Sequence, residues 1–147
     1  MSDSDLINLY SGRILALAAV IPHLGRLPEP VASVRKRSPL CGSTVTVDLE
    51  MRDGRVAAFA QEVKACALGQ AAAAVLGKVV LGRTQAELET ARAELSGMLK
   101  ACGPVPAAPF QGYEVLIPAR DYKNRHASIL LSIEAACEAA AAADSTP

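Results

Sequence analysis

Two cysteines, Cys41 in "PLCGS" and Cys66 in "VKACALGQ", are the side chains best placed to do chemistry. Cys41 sits in a polar loop beside Gly42, a residue that lets the backbone turn tightly at a site. Cys66 stands at the start of an alanine-rich run, where a helix dipole and unpaired N–H groups favour a thiolate. Lys64 adds positive charge nearby. Thiolates so placed bind metal or react, whereas the competing reading is a pair of packed core thiols, common for this residue type. His126, in "KNRHASILL", reads from its surroundings alone as a capping or surface histidine, and His23 as an exposed one. Cys102 falls at a helix end, and Cys137 lies about 16 Å along a helix from His126, too far to share an ion. Both read as structural. No nucleotide loop, HExxH, GxSxG or CxxC pattern is present.

The elements that must carry these thiols follow from periodicity. Thr44 to Met51 alternates cleanly, with Val45, Val47, Leu49 and Met51 on one face. "RDG" turns the chain, and Val56 to Ala65 returns. A three-residue turn with Gly54 left-handed predicts Val47 opposite Phe59 and Leu49 opposite Ala57. Extended outward, that register sets Ser43 against Val63 and Cys41 against Ala65. Cross-strand neighbours are about 5 Å apart, so Cys41 and Cys66 would share one end of the hairpin and one metal ion. "VASVRKRS" supplies a short further strand, with Lys36 and its flanking arginines as a polar outer face.

The helices are read from three-and-four spacing. Leu6, Tyr10, Ile14, Leu17 and Ile21 form a first stripe, capped by Ser4 and ended by Pro22 before the loop "PHLGRLPEP". Leu68 to Leu81 is a helix of small residues. Thr84 and Glu87 make a capping box for the next, which buries Leu88, Ala91, Leu95 and Met98 and stops at Gly103 and Pro104. "YEVLIP" reads as extended, and a last helix runs from near Tyr122 through Ile129, Ile133 and Cys137, with "DSTP" fraying. The expected fold class is α+β: a small antiparallel sheet of about three strands, covered on one face by helices.

Composition limits the function classes. A chain of 147 residues suits a single domain over 1–147, with a real core. Hydrophobic residues make up 51% but aromatics only 3%, so the helices must approach closely over alanine. A formal net charge of zero argues against a general nucleic-acid binder. Gln70 and Lys78 break the longest apolar stretches, which predicts no membrane span. The acidic start "MSDSDLINLY" does not read as a signal peptide. The expected location is therefore cytoplasmic, with reduced cysteines serving as metal ligands, catalytic thiols or core fillers.

Taken in order, the motifs resemble those of IscU/NifU-type iron–sulfur cluster assembly scaffolds, as an atypical member. "LYSGRILALAAVIPHLGRL" is similar to that family's opening helix and loop, and "LCGSTVTVDLEMRDGRV" to its first-cysteine loop and hairpin. "VKACALGQAAAAVLGKVV" is similar to its second-cysteine helix start, and "RHASILLSIEAACEAA" to its last helix. The match runs from about Leu9 to Ala140. The resemblance implies an IscU/SufE-like fold and a scaffold or carrier rather than an enzyme. By position, Cys41, Cys66 and His126 would hold iron or a transient [2Fe–2S] cluster, a ligand set that also suits zinc. It implies a cysteine desulfurase and apo iron–sulfur proteins as partners, no nucleic acid or membrane, and a weak homo-oligomer. Alternatives within the same fold are a zinc-binding or desulfurase-interacting module that has lost cluster assembly, and a persulfide-sulfur acceptor. Two departures stand out. Ser43 occupies the usual aspartate position, and Ala127 that of the third cysteine. "LIPARDYK" replaces the chaperone-binding motif of IscU-type members. Three protein ligands then leave a fourth position, for which Ser43 and Asp121 are weak candidates.

Overall fold

The computed structural model describes residues 11–39 and 42–144. Strands β1 (Ala32–Arg37), β2 (Thr44–Arg52) and β3 (Arg55–Lys64) form an antiparallel sheet in the order β1-β2-β3. The hairpin register differs from the expected one. Asp53 and Gly54 take φ of 54° and 75°, so the chain reverses in two residues, as Asp-Gly favours in twisted hairpins. Arg52 pairs with Arg55 and Met51 with Val56, after which the register shifts and Glu50 pairs with Ala58. Ala57 is the extra residue of a bulge. Leu49 then meets Phe59, Val47 meets Gln61 and Val45 meets Val63. The expected pairing of Ser43 with Val63 is thus displaced by two positions, while the inward face is kept, because a shift of two preserves side-chain parity.

On β1, alternation separates Lys36 from its neighbours. Lys36 pairs with Val45 on the helix-covered side and reaches Glu138 at 3.1 Å, so only Arg35 and Arg37 belong to the polar outer face.

Helix α1 (Gly12–Ala19) starts at Ser11, whose hydroxyl accepts the Ile14 N–H at 3.4 Å. It buries Ile14 and ends ahead of the expected Pro22 boundary. The proposed cap Ser4, with Leu6 and Tyr10, lies outside the described residues, as does "STP" of the tail. Between α1 and β1, the chain runs along β3. The Gly25 N–H donates to the Gln61 carbonyl, and the Gln61 N–H to that of His23. His23 itself is exposed, as expected. This segment is pinned by Arg26, which donates to both carboxylate oxygens of the buried Asp48 at 2.6 and 3.1 Å.

Helix α2 (Ala67–Val79) buries its run of alanines together with Gly69 and Gly77, which allows close approach to its neighbours. Helix α3 (Gln85–Lys100) has the expected capping box of Thr84 and Glu87, and buries Leu88, Ala91, Leu95 and Met98. "YEVLIP" is not extended: it lies within a 3₁₀ helix, Gln111–Asp121. Tyr113, Leu116 and Ala119, spaced by three, are all buried, which is the period of a 3₁₀ turn.

Helix α4 (Lys123–Asp144) packs across β1 and β2 and against α2 and α3. Its 22 residues are long and apolar enough to cross a membrane, contrary to expectation, yet 72% of the apolar window is buried within this fold. Burial against sheet and helices explains the same composition that a membrane span would need.

Candidate metal and sulfur site

Three elements meet at Cys66. The residue is the N-cap of α2, with extended backbone (φ −67°, ψ 170°) and no capping bond from its side chain. Its carbonyl accepts the Gln70 N–H to begin the helix, while Gln70 Nε2 donates to the Ala65 carbonyl at 2.8 Å. The thiol is therefore half-buried at a helix N-terminus, with its sulfur turned away from the backbone's own needs. Lys64 is exposed beside it.

The loop joining β1 to β2 is closed by two backbone bonds, from the Ser38 N–H to the Ser43 carbonyl at 2.8 Å and from the Gly42 N–H to the Ser38 carbonyl at 3.0 Å. Gly42 has φ +72°, the left-handed conformation that a glycine takes most readily, and a Cβ there would stand 3.8 Å from the Arg37 guanidinium. Cys41 immediately precedes Gly42 and lies outside the described residues.

Ser43 and Cys66 are linked through α4. The buried Ser128 places its Oγ 3.2 Å from Ser43 Oγ and 3.6 Å from Cys66 Sγ. Ser128 was not singled out from the sequence. Its signal was a lone hydroxyl two residues after His126, at the edge of the apolar run "SILL".

His126 is buried, not the capping or surface residue that its sequence surroundings suggested. Nε2 lies 3.0 Å from the carbonyl oxygens of both Ala119 and Arg120. Carbonyls only accept, so Nε2 carries a proton, and in the neutral ring Nδ1 is the nitrogen with the lone pair. Backbone anchoring of one ring nitrogen is how ligating histidines are commonly oriented.

The remaining candidates stand apart. Asp121 is exposed at the end of the 3₁₀ helix. Cys102 is exposed just beyond α3, with φ 52°. Cys137 is buried, and burial, followed by the nearby Glu89, pushes its thiol up to about 12. Among the described residues, which exclude Cys41, no three His, Cys, Asp or Glu side chains gather to hold a metal ion.

No family model and no curated protein matches the chain. Solved structures do. A nitrogen-fixing NifU-like protein (N-terminal) from Brucella abortus is 45% identical, with a TM-score of 0.94 over 97% of this chain and 99% of that one. A structure described only as a hypothetical protein shares 18% identity and a TM-score of 0.81, over 92% of this chain and 98% of that one. A third, from Fervidobacterium islandicum, is described as an iron–sulfur cluster assembly scaffold protein for the SUF system. It is 18% identical, with a TM-score of 0.80 over 91% of this chain and 98% of that one. The last two share the fold. The first shares the sequence along nearly its full length, and with it the chain belongs to the NifU-like N-terminal family.

Proposed function

We propose that this protein is an iron–sulfur cluster assembly scaffold or carrier, acting as one domain over residues 1–147. Cys41, Cys66 and His126 hold iron or a nascent [2Fe–2S] cluster as cargo and pass it to apo-proteins in the cytoplasm. Family membership supports the reading, and one local observation carries it: Ser128 touches both Cys66 and Ser43, so the end of the Cys41 loop meets the second thiol. The donor set suits the cargo. Two thiolates are soft ligands for iron–sulfur clusters, and a histidine with its Nε2–H already engaged offers Nδ1. With Ser43 and Ala127 at two family ligand positions, the chain supplies three donors. A second chain, a small thiol or the receiving protein completes the fourth, and an incomplete set favours hand-over.

The half-exposed thiol at a helix N-terminus also favours a preceding sulfur-transfer step. The Cys66 thiolate attacks the outer sulfur of a desulfurase persulfide, the old S–S bond breaks, and the desulfurase thiolate leaves. Anaerobic incubation with a cysteine desulfurase, cysteine, ferrous iron and a dithiol reductant tests the whole reading, the dithiol and the iron supplying the electrons that take persulfide sulfur to sulfide. The expected result is a visible sulfur-to-iron charge-transfer spectrum that is lost in Cys41→Ala and Cys66→Ala. A colourless product would overturn cluster assembly, and stoichiometric zinc in freshly isolated protein would favour the zinc-binding module.

A further inference from the structure

We infer that Ser128 is a positioning residue for Cys66, its hydroxyl holding the sulfur as a hydrogen-bond donor while Ser43 holds Ser128 in turn. The inference rests on the reading of Cys66 as a ligand.

A hydroxyl has one proton to give and lone pairs to receive. Metal-bound or ionised sulfur only accepts, so the Ser128 proton goes to Cys66 across the 3.6 Å contact. The Ser128 oxygen is then free to accept, and Ser43 Oγ stands 3.2 Å away as the donor. Both serines are buried, at 1% and 5% exposure, so water does not readily substitute for either bond.

The backbone around Ser128 makes room for this arrangement. A Cβ on Gly69, one turn into α2, would stand 2.7 Å from Ser128 Oγ and 3.2 Å from its carbonyl. Glycine there lets α4 approach α2 closely enough for the hydroxyl to reach the sulfur. The same contact explains how a serine at position 43 serves in the place of a carboxylate. An aspartate beside an ionised sulfur supplies a ligand but repels its charge, whereas the serine pair supplies a donor. Outer-sphere bonds of this kind orient ligands and tune their metal.

Cobalt(II) titration of the apo-protein under argon tests the claim, with the sulfur-to-cobalt charge-transfer band as readout. A hydrogen bond stabilises the sulfur lone pair, so its loss in Ser128→Ala moves the band to longer wavelength and weakens cobalt binding ~10–100-fold. Ser43→Ala leaves Ser128 in place and gives a smaller shift of the same sign. Both variants should keep cooperative unfolding, and the Ser43→Ala shift decides the matter if Ser128→Ala does not fold. A Cys66-dependent band unmoved by either substitution would overturn the positioning role alone. A band whose position and intensity are unchanged in Cys66→Ala, or that never forms in the unsubstituted protein, would overturn the ligand reading beneath it.

Discussion

A thiol's behaviour is set by what surrounds its sulfur, and the three described cysteines occupy three different settings. Cys102 is exposed, Cys66 is half-buried at a helix N-terminus, and Cys137 is buried with its pKa pushed up to about 12. In native protein, iodoacetamide should therefore label Cys102 and Cys66 and spare Cys137 until the chain unfolds. Peptide mass spectrometry reads this directly, and early labelling of Cys137 would contradict it. The glycines make a second contrast at this scale. Gly69→Ala drives a methyl to 2.7 Å from Ser128 Oγ and 2.8 Å from Ala65 Cβ. Overpacking of that kind costs about 1–3 kcal/mol, more than the ~1 kcal/mol that alanine usually gains over glycine in a helix. Gly97→Ala in α3 meets nothing within 4 Å and should show only the gain. Urea unfolding of the two variants should move in opposite directions.

At the scale of elements, the Asp48 carboxylate ties the segment after α1 to the sheet. Burial alone would raise its pKa, but donors from Arg26, Ser33 and the Leu27 N–H together lower it below the ordinary carboxyl value. A depressed carboxyl stabilises the fold fully above its unfolded value of about 3.9, and that contribution is lost as pH falls through the folded value. Urea midpoints should thus fall on acidification from about pH 5 downward, with a shallower decline in Asp48→Asn; equal slopes would contradict the assignment. Helix α3 offers a simpler case. Thr84 caps it through the Glu87 N–H at 3.1 Å, so Thr84→Ala should cost about 1 kcal/mol in the same assay. This cap was legible because Thr84 and Glu87 are local in sequence. The hairpin was legible only in part: alternation revealed the inward face, but the bulge at Ala57 leaves no mark in composition, so the register was two positions out. The 3₁₀ helix was missed because Val115, Leu116 and Ile117 suit a strand equally well, and only burial at every third residue separates the two.

For the whole molecule, sheet and helices appear in the order that the sequence pattern indicated, because each is announced by local periodicity. What the pattern could not convey is proximity between distant segments. Ser43, Cys66 and Ser128 meet from three parts of the chain, and the two serines, 85 positions apart, carry no trace of that contact in the sequence. The burial of His126 has a local cause, since the Ala119 and Arg120 carbonyls that meet its ring close a 3₁₀ helix whose Tyr113–Pro118 stretch reads as extended in sequence. The chain joins the loop after β1, the head of α2 and the start of α4 at one corner, and the half-buried Cys66 thiol lies there. Iron and acid-labile sulfide content after oxygen-free purification, compared between the unsubstituted protein and Cys66→Ala, tests that account most directly. It predicts iron and sulfide together in the former and their loss in the latter; equal content in both, or none in either, would contradict it.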